Sequence, residues 1–173
     1  MTVPPEQRAV MLKPDKDGRI YYCDNFASQK YLHLAFITNG ENLRWQRGRL
    51  WIHGIEGRAN RVVLRYKFTC GQPLHEIRVS LECNANYRDL GAWNNLAVSL
   101  DGKNKVAEVS TKDRLDKQGR FKGTLSIDLS THPKFQGVRS FWVHIEMVSG
   151  SGKRTGASNV INALKIEAKV RGR

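Results

Sequence analysis

An all-β chain, arranged as a two-sheet antiparallel β-sandwich of jelly-roll kind, is what this sequence predicts. Three observations lead there. Apolar residues recur at every second position over most of the chain after residue 18, the spacing of strands with one buried side. Turn signals built on Gly, Pro, Asn and Asp interrupt these runs roughly every 10 to 15 residues. No long stretch keeps the period of about 3.6 residues that an amphipathic helix needs. About ten strands, each with one apolar side, hide those sides only by stacking two sheets or closing a barrel.

The elements follow in order. Residues 1–18 hold Pro4, Pro5 and Pro14 and no apolar stretch of signal-peptide length, and read as a polar leader or linker to a single sandwich domain over 19–173. Residues 24–30 suit a short helical turn capped by Asp24 or Asn25. Val62, Leu64, Tyr66, Phe68 and Cys70 form one apolar side, with Val63, Arg65, Lys67 and Thr69 on the other. Beyond a turn at 71–73, Ile77, Val79, Leu81 and Cys83 alternate with Glu76, Arg78, Ser80 and Glu82. Four more runs start at Leu96, Leu125, Phe141 and Leu164. Turns at Asn39-Gly40, Arg47-Gly48, Glu56-Gly57, Asp101-Gly102, Gln118-Gly119 and 149–156 separate the strands, and a second short helical piece fits 130–135. There is no internal repeat, so propellers and solenoids are excluded.

Composition sets the outer bounds. With 173 residues, 40% hydrophobic and 26% charged, the chain is suited to one globular core and is not a disordered segment. No apolar run approaches the roughly 18 to 20 residues that span a bilayer as a helix, so no membrane insertion is expected. Lys and Arg number 29 against 16 Asp and Glu, a formal charge of +13 that favours anionic partners without naming one. Cys23, Cys70 and Cys83 lack metal-binding spacing. Cys70 and Cys83 either pair or stay as two buried thiols, both being in register with the apolar side of a strand.

Catalytic signatures are missing. No GxSxG, HExxH, Walker A or GxGxxG occurs, and Gly150-Ser151-Gly152-Lys153 has only the flavour of a phosphate loop. His33, His53, His75, His132 and His144 are scattered singly. Glu76 and Glu82 share a strand face that Glu146 would join if the strands were neighbours, which keeps a glycoside hydrolase open, yet Arg65, Lys67 and Arg78 are placed to pair with those acids.

From Arg49 onward the order of RVVLRYKF (61–68), PLHEIRVS (73–80), LAVSLDG (96–102), GTLSIDLS (123–130), FWVHIEM (141–147) and the last strand at 163–170 resembles the galactose-binding-like β-jelly rolls. These occur as carbohydrate-binding modules and as accessory domains of secreted glycan-active proteins. Asp24-Asn25-Phe26 with Trp45 and Gly48-Arg49-Leu50 also looks like the opening of laminin-G-like or concanavalin-like sandwiches. The resemblance implies ligand contacts in loops at one end of the sandwich. It also implies an optional structural calcium, for which Asp24 and Glu167 are the matching oxygen donors; no cofactor is otherwise required.

A sugar ligand asks for an exposed aromatic face with amides and guanidinium groups around it. Asn86, Tyr87, Arg88, Trp93, Asn94 and Asn95 supply these in one turn-rich stretch, with the alternative that Trp93 plugs the end of the core. A second candidate is the polar side carrying Trp142 and His144, flanked by Arg65, Lys67 and Arg78 if their strands adjoin; guanidinium groups there would suit an acidic chain. Trp45 and Trp51 among Arg44, Arg47 and Arg49 form a third.

The expected function is non-catalytic recognition of a polysaccharide, neutral or acidic, by a module tethered to a larger extracellular or periplasmic protein. The alternatives are a lyase or hydrolase in which His144, Glu146 and Arg78 converge, and a structural spacer or non-specific polyanion binder. Nucleic acid ranks last, for want of a recognition helix or RNP-like aromatics.

Overall fold

The computed structural model describes residues 8–150 and 159–171. Ser151 to Lys153 of the phosphate-loop-like stretch and most of the 149–156 turn lie outside them. Eleven strands are described: β1 (Val10–Leu12), β2 (Arg19–Asp24), β3 (Ala35–Thr38), β4 (Arg44–Gln46), β5 (Arg49–Ile52), β6 (Asn60–Asn86), β7 (Trp93–Ser99), β8 (Lys105–Ser110), β9 (Arg120–Asp128), β10 (Val138–Ser149) and β11 (Asn159–Val170). Two one-turn helices, α1 (Tyr31–Leu34) and α2 (Tyr87–Leu90), accompany them. The all-β sandwich expected from the alternation is the observed architecture.

Its organising element is β6. The first half of this strand pairs with β10, which continues through β7 to β8, while β3 and β1 pair along its other edge. The second half pairs with β9 on one side and β11 on the other, and β11 leads on to β2 and to the β5–β4 hairpin. One strand thus belongs to both layers, as at the corners of sandwiches where a strand switches sheets.

The signal at 71–73, expected to reverse the chain, instead makes this corner. Gly71, Gln72 and Pro73 stay exposed, β10 slips register between Val138 opposite Leu74 and Ser140 opposite Thr69, and Arg139 donates to the Gly71 carbonyl. Glu76, at φ 51°, forms a bulge where β11 also slips between Glu167 and Lys169. That extra residue moves the inward side from even to odd numbers: Leu64, Tyr66 and Phe68 before it, Ile77, Val79 and Leu81 after it, all with no exposed surface.

The two layers enclose one core. Tyr22 of β2 meets Phe68 of β6 edge to face at 5.3 Å, and Phe68 stacks on Phe141 of β10 at 5.4 Å. Each such side chain contributes roughly 1.5–3 kcal/mol by leaving water. Val10 and Leu12, assigned by composition to the leader, are buried in β1 and pair in parallel with Phe68 and Cys70. The body of the fold therefore begins before residue 19; a three-residue alternation was too short to mark it. The three cysteines are free, Cys70 and Cys83 being buried in opposite halves of β6.

The opening residues converge as well. Phe26, at φ 55°, offers its carbonyl to the Gly48 amide at 2.8 Å and to Trp45 Nε1 at 3.0 Å, which ties the 24–30 turn to the β4–β5 hairpin.

Candidate functional site

Strand register sorts the predicted site residues between the two outer faces of the sandwich. On β7, Leu96 and Val98 enter the core, so Trp93, Asn95, Ala97 and Ser99 point the other way. Across β10 these positions lie opposite Val148, Glu146, His144 and Trp142. His144 in turn lies opposite Arg65, and Trp142 opposite Lys67. Trp93, Asn95, Trp142, His144 and Arg65, drawn from two separate sequence candidates, therefore share the outer face of the first layer. Their two indoles are six positions apart along the strand, about 20 Å.

The two ends of this face differ. At one end Trp142 is closed over. Its indole lies 5.4 Å from the Phe36 ring, Arg65 sits 5.7 Å over it, and the 100–104 turn packs against it through Gly102. Arg65 also donates to the Gly102 carbonyl at 3.0 Å. Beside it, His144 is 6% exposed, and its Nε2 is 2.7 Å from Ser99 Oγ, which accepts the Gly102 amide at 3.0 Å. Burial, aided by the charges of Lys105 and Arg65, lowers the His144 pKa to about 4, so the ring is neutral at pH 7. Trp142, His144 and Arg65 thus pack with Phe36, Ser99 and the 100–104 turn.

At the other end a groove of about 380 Å³ is lined by Trp93, Asn95, Lys105, Glu108, Lys112 and Glu146, among others. Trp93 is half-buried and lies outside the core, so it does not plug the end of the sandwich. Lys112 Nζ rests 4.1 Å from the centre of its ring, Asn95 Nδ2 donates to Glu108 Oε2 at 3.0 Å, and Glu146 is paired with Arg61. With Lys105 and Lys112 set against Glu108 and Asp113, and Glu146 held by Arg61 from outside the groove, the charges balance. Two carbonyls at its rim, those of Trp93 and Val148, accept from Asn159 Nδ2 at 2.8 and 3.0 Å, which pins β7 to β10 there.

Several predicted residues fall elsewhere. Asn94 points into the interior with no exposed surface, as the alternation of β7 requires. Asn86 caps α2, accepting the Asp89 amide at 3.2 Å, and Arg88 donates to the Lys117 carbonyl at 2.8 Å, while Tyr87 is exposed. Arg78 lies on the outer face of the second layer, bridged to Asp128 at 3.3 Å, because the corner in β6 separates it from Arg65. The convergence of His144, Glu146 and Arg78 weighed for a lyase or hydrolase therefore does not occur. Nor do Glu76, Glu82 and Glu146 meet, each being paired with a cation of its own, Lys169, Lys165 and Arg61.

The two oxygen donors implied for a calcium, Asp24 and Glu167, are not brought together. Asp24 lies opposite Leu164 on the inner side, whereas Glu167 lies opposite Tyr21 on the outer side. Asp24 Oδ1 already accepts the Phe26 amide at 3.0 Å, and burial raises the Asp24 pKa. Among the described residues no three Asp, Glu, His or Cys side chains cluster as metal ligands.

Sequence reasoning missed the contribution of β8. Its signal was present: Glu108 and Ser110 alternate with Ala107 and Val109, which are partly buried. Only the pairing of β8 with β7 shows which polar face that alternation serves.

No known family model matches the chain, and no curated protein matches it in sequence. Solved structures do match it. The carbohydrate recognition domain of Emp46p, in a potassium-bound form, superposes with a TM-score of 0.52 at 9% identity, over 89% of this chain and 98% of that one. The likeness is one of fold. A carbohydrate-binding module described for specific mannan recognition, TmCBM27, gives a TM-score of 0.48 at 12% identity over 88% of this chain and 99% of that one. Xylanase10C from Cellvibrio japonicus gives 0.45 at 13% identity over 75% of this chain, which spans 24% of the Xylanase10C chain.

Proposed function

We propose that this domain is a non-catalytic carbohydrate-binding module that holds a polysaccharide in the groove of the first layer. The observation that carries the reading is Trp93, a half-buried indole outside the core at the mouth of a polar groove. A pyranose presents an apolar side that an indole covers, while Asn95, Glu108, Ser110 and the two lysines supply donors and acceptors for its hydroxyls. An ammonium over an exposed ring is worth only about 0.5–1 kcal/mol, so Lys112 is a cover that a sugar displaces. The balanced charges of the groove favour a neutral chain here.

The fold shared with a carbohydrate recognition domain supports the reading. Its setting, on this proposal, is a larger extracellular or periplasmic protein acting on or adhering to glycans. Affinity electrophoresis through mannan, xylan and galactan tests it: retardation by at least one is expected for the unaltered protein. Free migration through all of them, and no signal on a wider glycan array, would end it.

A further inference from the structure

We propose that the outer face of the second layer carries a separate site for an acidic polysaccharide, centred on Trp51. This site is distinct from the Trp93 groove and does not depend on it. Register places Arg44 opposite Trp51, Trp51 opposite Val160, Val160 opposite Asn84 and Asn84 opposite Lys122. These five residues form one row across β4, β5, β11, β6 and β9, about 19 Å wide at the usual strand spacing. Leu50 and Ile52, on either side of Trp51, have no exposed surface, so the half-buried Trp51 points outward. Toward β9 the row opens into a cleft of about 490 Å³ to which Asn84, Asn86, Gln118 and Lys122 contribute, with Arg120 paired to Asp89 and Asp116 accepting the Gln118 and Arg120 amides.

Charge divides this face in two. In its lower half the cations are neutralised: Arg78 by Asp128, Lys165 by Glu82 and Lys169 by Glu76. In the upper half, Arg44 donates to the Glu41 and Leu43 carbonyls and Arg49 to the side-chain oxygen of Gln46. Among the described residues no carboxylate pairs with Arg44, Arg49 or Lys122. Guanidinium groups grip carboxylate or sulfate in bidentate fashion, Trp51 offers a flat face to a ring, and the amides suit hydroxyls. A nucleic-acid strand would instead want successive aromatic platforms, and this row has one.

The test is retardation by polygalacturonate, with dextran sulfate and neutral dextran alongside, for the unaltered chain, the double variant Arg44→Gln/Lys122→Gln, Trp51→Leu and Trp93→Ala. Polygalacturonate is expected to retard the unaltered chain and Trp93→Ala equally. Its affinity should fall about tenfold or more in the double variant and in Trp51→Leu, and should return toward the original in Arg44→Lys/Lys122→Arg. Binding should weaken as salt shortens the Debye length below about 10 Å. The proposal is overturned if neither acidic polymer binds or if the double variant binds unchanged. It is equally overturned if Trp51→Leu leaves polygalacturonate binding intact, which would reduce the face to bare charge. A single-stranded oligonucleotide that binds as tightly and loses affinity in the same variants would assign the face to nucleic acid instead. Thermal melts of each variant separate loss of binding from loss of fold.

Discussion

Gly102 lies directly against the Trp142 indole: a Cβ built on Gly102 would sit 2.9 Å from Trp142 Cε2. The same glycine is at φ +79° in the turn that Asp101 holds by accepting the Lys103 and Asn104 amides at 2.8 and 2.7 Å. Two constraints thus meet at one residue, a left-handed backbone and a ring with no room above it. Together they close one end of the first layer's outer face and leave the other open.

Gly102→Ala is accordingly expected to destabilise the domain by roughly 2–5 kcal/mol. The left-handed conformation accounts for about 1–2 kcal/mol and the overpacking for about 1–3 kcal/mol. Urea unfolding with an unchanged m-value measures it. A loss under about 0.5 kcal/mol would mean that the turn moves freely off the indole.

Trp93→Ala should lower affinity for whichever polysaccharide the groove retards by about tenfold or more, the scale of one stacking contact. Because Trp93 stands outside the core, the thermal midpoint should change little. Unaltered retardation would move the glycan site away from Trp93.

Asn159→Ala removes an amide that serves both the Trp93 and Val148 carbonyls from a position with no exposed surface. Leaving a buried acceptor without its donor costs about 1–3 kcal/mol and a part-buried one less, so a drop of about 1 kcal/mol or more in unfolding free energy is expected. Amide hydrogen exchange should rise first at the start of β7 and the end of β10. A variant as stable as the original would show that the carbonyls find other donors.

His144 makes stability depend on pH. Its folded pKa of about 4 is below the unfolded value of 6.5, chiefly through burial, with Lys105 and Arg65 adding to the depression and Asp101 opposing it. The unfolded chain therefore binds the extra proton first. The contribution is complete above about pH 6.5 and is lost as pH falls through about pH 4, on the order of 3 kcal/mol over that window. Thermal midpoints should decline from pH 7 to pH 4.5, and His144→Gln should flatten that part of the profile. Parallel profiles for both proteins would assign the decline to other groups.

Much of the architecture was legible in the chain because a strand's side-chain period is two whatever it packs against. The inward residues of β7, β9, β10 and β11 could be named from alternation alone, and so could the turn at Asp101-Gly102, but Leu100, which extends the β7 alternation, is exposed. Where alternation was interrupted, sequence was a poorer guide. The 71–73 signal and the Glu76 bulge both read as breaks, but a break does not say whether the chain turns back or crosses to the other layer.

Alternation and turn residues alone therefore settle the all-β class, most of the core and the list of side chains able to meet a sugar. Which of these share a face is set by how the strands pair. Strand pairing joins residues far apart in the chain, and a one-residue bulge changes which side they occupy. That is why Trp93 and Trp142 stand on one surface, why Arg65 and Arg78 stand on opposite ones, and why Asp24 and Glu167 never meet. It is also why a row from Arg44 through Trp51 to Lys122 exists at all: its members come from five strands, and only the register between strands aligns them.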